Sequence, residues 1–106
     1  MQNQDAPYSV IRRGGCTSTF YLKDCISGLN ENVKAGSVDV VVTSPPYNIG
    51  ISYGTYDDTL PRDQYLAWMD QVGVAVKRAL AENGSFFLNI GNKPKDQWIA
   101  WDVASV

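Results

Sequence analysis

The run Val38-Asp39-Val40-Val41-Val42, followed two residues later by Pro45-Pro46, limits the possible folds more than any other stretch of the chain. Four β-branched residues in five make a nearly continuous apolar strand, the kind that is buried on both faces of a parallel sheet. Two successive prolines remove two ladder donors and fix φ, so the strand has to stop there. A parallel neighbour cannot be reached by a tight hairpin, so helical crossovers are needed on either side.

The flanking segments supply them. Thr17 to Lys23 is β-rich and reads as a strand, and Asp24 then stands where a helix N-cap belongs, ahead of a short helix over about Cys25 to Asn30. Pro61 and Asp63 start a longer helix on which Tyr65, Trp68, Val72, Ala75 and Ala79 recur at helical spacing, flanked by Leu66, Met69, Val76 and Leu80. Asn83-Gly84 reads as its end, with Lys77 and Arg78 near the negative pole. Gly84 to Gly91 reads as a second strand, and the tail holding Trp98, Ile99, Trp101 and Val103 as a last helix. Residues 48–60 show no apolar period and read as a polar, aromatic loop long enough to invite a function. The alternation predicts an α/β domain with a mainly parallel sheet over residues 17–106, behind an N-terminal arm over residues 1–16.

Composition prunes the chemistry. The 106 residues are 44% hydrophobic and 19% charged, which places them with packed domains rather than disordered chains. There is no histidine, which excludes Ser-His-Asp triads, Cys-His dyads and imidazole acid-base catalysis, and no metal is expected. Nine basic against eleven acidic residues give a net charge of -2, so no bulk basic field would hold a polyanion and any nucleic-acid contact must be local or made by other protein. Cys16 and Cys25, nine apart and without a CxxC, imply neither a disulfide framework nor zinc and read as buried or incidental thiols. No run approaches the length of a membrane span and Met1 to Tyr8 is polar, so the expectation is a soluble, cytoplasmic protein without a membrane partner.

The segment Thr43-Ser44-Pro45-Pro46-Tyr47-Asn48 lies where the apolar strand ends, the edge at which open α/β sheets bind ligands. Alone, Ser-Pro-Pro-Tyr reads as an ordinary proline turn or a polyproline segment. Its surroundings change that reading. Tyr21-Leu22-Lys23-Asp24-Cys25, the stretch from Ser37 to Gly50, Gln64-Tyr65-Leu66-Ala67-Trp68, and Gly84-Ser85-Phe86-Phe87-Leu88-Asn89-Ile90-Gly91 follow in that order and cover about residues 18 to 103. Together they resemble the DNA amino-methyltransferases, with Ser-Pro-Pro-Tyr as motif IV. These enzymes move a methyl group from S-adenosylmethionine to the exocyclic amine of adenine (N6) or cytosine (N4). The resemblance implies a Rossmann-like methyltransferase fold, S-adenosylmethionine as cofactor, DNA as partner and a restriction-modification setting.

It also implies roles for residues. An exocyclic amine is a poor nucleophile because its lone pair is delocalised into the ring, and acceptors aimed at its two hydrogens make the nitrogen more sp³-like. In the family these acceptors are the side chain of the first motif residue and a carbonyl of the Pro-Pro step, which implies Ser44 Oγ and the Pro45 carbonyl here, with the rigidity of Pro45 and Pro46 fixing their direction. Tyr47 would stack on a base flipped out of the duplex. Asp24 matches the acidic or polar position near the cofactor's adenine and is equally a helix cap, with Thr43 and Ser44 completing the cofactor side. Asn48, Tyr53 and Tyr56 are candidates to line the base pocket or the DNA backbone, whereas Asp57 and Asp58 would repel phosphate and are expected to face solvent.

The sequence also departs from the family pattern. Phe87-Leu88-Asn89-Ile90-Gly91 superficially resembles the Phe-x-Gly-x-Gly cofactor loop, but Asn89 stands where the first glycine belongs, and the match is rejected. Neither a glycine-rich cofactor loop nor an acid to grip the ribose is found in these residues. In the family's β-type order both follow the catalytic motif, as does the target-recognition region, so residues 17–106 read as the N-terminal, catalytic part of a larger enzyme. Ser-Pro-Pro-Tyr is associated with cytosine and Asp-Pro-Pro-Tyr with adenine, but Thr-Ser-Pro-Pro-Tyr-Asn also occurs among adenine enzymes, and both bases stay open. Two alternatives stand beside this reading. One is a glutamine-amide methyltransferase of release factors, whose cofactor loop precedes an Asn-Pro-Pro-Tyr motif; nothing before Ser44 resembles that loop. The other is a non-catalytic DNA-binding or interaction module on the same scaffold, against which the acidic balance speaks. Trp98 and Trp101 leave a homodimer open.

Overall fold

The computed structural model describes residues 6–48, 50–93, 95–96 and 98–106; Met1 to Asp5 of the expected arm, Ile49 of the motif stretch and Pro94 lie outside the described residues. Two strands, β1 (Ser9–Arg13) and β2 (Cys16–Phe20), pair antiparallel from Ser9 opposite Phe20 to Arg13 opposite Cys16. The two residues between them, Gly14 and Gly15, have φ of 56° and 81°. A two-residue turn with both residues in the left-handed region follows the twist of the flanking strands, and glycine enters that region without cost. The segment read as a lead-in arm therefore holds a strand of its own, made possible by the Gly-Gly step. β2 ends at Phe20, before the expected Lys23.

Helix α1 (Cys25–Asn32) begins at Asp24, whose Oδ2 accepts the amides of Ile26 (3.1 Å) and Ser27 (3.2 Å), satisfying two of the first-turn donors. At the other end Arg78 Nη1 donates to the carbonyls of Leu29 and Val33, both at 3.0 Å, closing the helix with a cation where its dipole is negative.

The central sheet has two parallel strands, β3 (Val38–Thr43) and β6 (Leu80–Leu88), joined by the long helix α2 (Arg62–Ala79). Val40 to Thr43 pair in step with Ser85 to Leu88, but Val38 pairs with Leu80, so residues 81–84 form an irregularity in β6. Helix α2 thus ends at Ala79 and Asn83-Gly84 do not terminate it; pairing of Leu80 with Val38 overrides the local stop signal. Gly84 instead serves a close approach, since a Cβ there would stand 2.8 Å from Leu80 Cδ2 and 3.0 Å from the Val38 carbonyl.

Alternation along the strands puts Val41, Thr43 and Leu88 on one face and Val40, Val42 and Phe87 on the other. Leu88 packs against the core of Tyr65, Met69 and Val103, which joins α2 to the short helix α3 (Ile99–Ala104). Val42 and Phe87 are 73% and 60% exposed. The strand expected to be buried on both faces is covered on one, because α2 and α3 pack on the same side. Arg62 at the start of α2 forms ion pairs with Asp96 and Asp102 and so ties α3 down, while Ile99 and Val103 turn inward and Trp98 and Trp101 face out. Cys16 and Cys25 are unpaired and exposed, so of the two readings, buried or incidental, burial is excluded. Among the described residues no helix is long and apolar enough to cross a membrane.

Candidate active site

The Ser-Pro-Pro-Tyr step begins where β3 ends. The carbonyl of Thr43 accepts the amide of Asn89 at 2.9 Å, extending the ladder one residue beyond β6 and keeping the two strand ends together. Pro45 is buried and Pro46 half-buried. From beneath, the hydroxyl of Tyr65 donates to the Pro46 carbonyl at 2.5 Å. Tyr65 is fully buried, and that burial, reinforced by Tyr56 and Asp58, pushes its hydroxyl up to about 12, so it is a donor throughout the neutral range.

Ser44 is exposed, with its Oγ 2.9 Å from the hydroxyl of Tyr47. Asn89 Nδ2 donates to the same Tyr47 oxygen at 3.2 Å. The ring of Tyr47 lies over Gly91, where a Cβ would come within 2.9 Å of both Cδ2 and Cε2. Serine, tyrosine and asparagine thus form a short hydrogen-bonded chain at the mouth of the strand ends, floored by a glycine. Sequence reasoning missed Asn89 and Gly91 as parts of this group. The departure from Phe-x-Gly-x-Gly at Asn89 was the available signal, since a polar side chain there needs a partner.

The loop after Tyr47 has more structure than its lack of apolar period suggests. Strands β4 (Ser52–Tyr53) and β5 (Tyr56–Asp57) make a small hairpin turning at Gly54. Asp58, expected to face solvent, is only 2% exposed and closes the base of this hairpin. Its carboxylate accepts the amides of Asn48 (2.9 Å) and Ile51 (2.8 Å), and its carbonyl accepts that of Gly50 (3.0 Å). A carboxylate satisfied by backbone donors can be buried where an unpaired one could not. Asp57 does face solvent, bonded to Thr59.

Asn48 takes up a left-handed φ of 61° and turns its amide inward, donating from Nδ2 to the Leu60 carbonyl at 2.7 Å. It is buried, and among the described residues its Oδ1 has no partner. Tyr56 packs its ring on Trp68 with centroids 5.4 Å apart, while Tyr53, 6.1 Å from Tyr56, is exposed. The structure thus brings Ser44, Pro45, Pro46 and Tyr47 together, leaves Tyr53 at the surface, and engages Asn48 in shaping the loop.

Asp24 acts as the cap of α1 through Oδ2. A carboxylate has two oxygens and about four acceptor positions, so the cap is compatible with a further donor, such as the amine of an adenine ring. In this limited respect Asp24 fits the cofactor suggested by the sequence. Among the described residues no group of three or more His, Cys, Asp or Glu side chains is placed to hold a metal.

A model of the DNA methylase family matches residues 38–103, from the start of β3 through the Ser-Pro-Pro-Tyr step, α2 and β6 into α3. The chain belongs to the DNA methylase family, that of the DNA amino-methyltransferases. It is 44% identical over 62 residues to the type II methyltransferase M.MjaVI of Methanocaldococcus jannaschii, an alignment covering 58% of this chain and 32% of that protein. With the type II methyltransferase M.HpaI of Haemophilus parainfluenzae it shares 35% over 63 residues, 59% of this chain and 20% of the relative. With the DNA adenine methyltransferase YhdJ of Escherichia coli it shares 29% over 77 residues, 73% and 26% of the two chains. The matched part of this DNA methylase chain thus corresponds to about a third or less of the length of these relatives.

Proposed function

We propose that these residues carry the catalytic motif of an S-adenosylmethionine-dependent DNA methyltransferase that modifies the exocyclic amine of a flipped-out adenine (N6) or cytosine (N4), on a Rossmann-like fold. The observation that carries the reading is the Ser44–Tyr47 pair, held at 2.9 Å on a Pro-Pro turn at the C-terminal end of a parallel strand. The similarity to the DNA adenine methyltransferase YhdJ of Escherichia coli favours adenine.

The geometry suits activation by hydrogen bonding. Asn89 donates to the Tyr47 hydroxyl, and whichever of the Ser44 and Tyr47 hydroxyls donates to the other, Ser44 Oγ keeps at least one lone pair to accept an amine hydrogen. The Pro46 carbonyl is held by Tyr65, and the resemblance to the family assigns the second amine hydrogen to the Pro45 carbonyl. Both acceptors are preorganised, so the step needs no histidine. The Tyr47 ring, tethered at its hydroxyl, offers a face on which a base stacks, worth about 1–3 kcal/mol. Tyr53, exposed on the hairpin, would touch DNA, and Asn48 would contribute by fixing the loop that presents it. Asp24, with Thr43 and Ser44, would hold the adenine side of S-adenosylmethionine, which supplies an electrophilic methyl group. The exposed Trp98 and Trp101 are the surface through which a homodimer would form.

The test is to incubate the full-length protein with unmodified DNA and S-adenosylmethionine labelled in its methyl group, then digest the DNA and chromatograph the nucleosides. Label on N6-methyl-2′-deoxyadenosine or N4-methyl-2′-deoxycytidine is the expected result and identifies the base. DNA that stays unlabelled, or label on a ring carbon, would contradict the reading.

A further inference from the structure

We propose that Tyr65 is a positioning residue for the Ser-Pro-Pro-Tyr step, its hydroxyl holding the Pro46 carbonyl from inside the core so that the acceptors offered to the target amine keep a fixed direction. The inference rests on the amine-methylation reading and deepens it.

The argument begins with what proline removes. Neither Pro45 nor Pro46 has a backbone N–H, so at these two residues only the carbonyls are left to hold the step in place. The Pro46 carbonyl receives its bond from Tyr65, nineteen residues further along the chain, at 2.5 Å.

The donor is itself firmly mounted. Tyr65 sits in the first turn of α2, its amide bonded to the Pro61 carbonyl at 2.9 Å, and its ring packs in the core with Met69, Val103 and the ring of Trp68. Phenylalanine would fill this space equally well. A hydroxyl in a fully buried position is unfavourable unless it has a partner, and the partner here is the Pro46 carbonyl.

The consequence reaches both acceptors. The Pro46 carbonyl belongs to the peptide plane that joins Pro46 to Tyr47, so fixing it sets where the Tyr47 ring leaves the chain. Tyr47 in turn holds Ser44 Oγ. With the Pro46 carbonyl held from inside the core, the turn that carries the neighbouring Pro45 carbonyl is steadied as well. Asn89 and Gly91 steady Tyr47 from the far side, so the ring is held from two directions.

The experiment compares Tyr65→Phe with the unaltered full-length protein in single-turnover methyl transfer to unmodified DNA, at saturating S-adenosylmethionine and DNA. The amplitude reports how much protein is folded and competent, and the rate constant reports positioning. The expected result is a rate constant lower by about tenfold or more, with the dissociation constants for S-adenosylmethionine and DNA changed by less than about twofold. Val72→Ala, a core change in the same helix away from the turn, is the control, and is expected to lower thermal stability while leaving the rate constant unaltered.

A Tyr65→Phe protein with the normal rate constant would overturn the positioning role and leave the proposed function standing. So would one that gives no amplitude down to ice temperature, since the hydroxyl would then be structural. An unaltered protein that transfers no methyl group to DNA would overturn the proposed function, and this inference with it.

Discussion

At the residue scale, small groups around Tyr47 set the site. Gly91 is required by proximity, because any Cβ there meets the tyrosine ring at 2.9 Å, a distance real Cβ atoms do not tolerate. Gly91→Ala should push the ring off its floor, lengthen the bond to Ser44 and slow methyl transfer about tenfold while altering stability little, as read by turnover beside a thermal melt. Unchanged turnover would show that the ring position does not matter. Ser44, Pro45, Pro46 and Tyr47 were legible because four consecutive residues of unusual chemistry stand at a predictable strand end. Tyr65 and Asn89 were not, because their partners lie 19 and 42 residues away and no local pattern carries such a pairing. Asp58 was misread for the same reason: a carboxylate is expected in solvent unless donors are known to surround it, and its donors are backbone amides of a loop whose path only the fold reveals.

At the element scale, the stretch from Asn48 to Leu60 behaves as one unit, a hairpin closed by Asp58 and laid against Trp68 through Tyr56. Asp58→Ala would leave the amides of Asn48 and Ile51 without their acceptor, at a cost of about 1–3 kcal/mol. The expected outcome is lower stability in chemical denaturation together with faster proteolysis within residues 48–60; equal stability and equal cleavage would show that the carboxylate does not organise the loop. The helices were legible at their starts and less so at their ends. Asp24 caps α1 as its position suggested, but α2 stops at Ala79 because β6 needs Leu80 opposite Val38, a demand made by a strand 42 residues earlier. The strand β1 escaped notice because a hairpin arm with little apolar content has no period to detect, although Gly14-Gly15 was its signal.

At the scale of the molecule, the α/β class followed from one apolar run and the spacing of its neighbours, and the structure has the parallel pair β3 and β6 with α2 as their crossover. Coverage of the sheet was not legible, since burial of a face depends on which side the helices pack. Helices α2 and α3 share one side, and Val40, Val42 and Phe87 are exposed on the other. The net charge of -2 likewise bears on the whole: without a broad basic field, the proposed function requires that DNA be gripped locally, as proposed for Tyr47 and Tyr53, or by other protein. The central claim is that Ser44, held by Tyr47 on the locked Pro-Pro turn, activates the amine. Its most direct test is the single-turnover rate of methyl transfer to DNA by Ser44→Ala in the full-length protein, at saturating S-adenosylmethionine and DNA. The account predicts a rate lower by about 10²- to 10³-fold with the protein still folded, as for loss of one preorganised hydrogen-bonding group. A rate equal to that of the unaltered protein would contradict it.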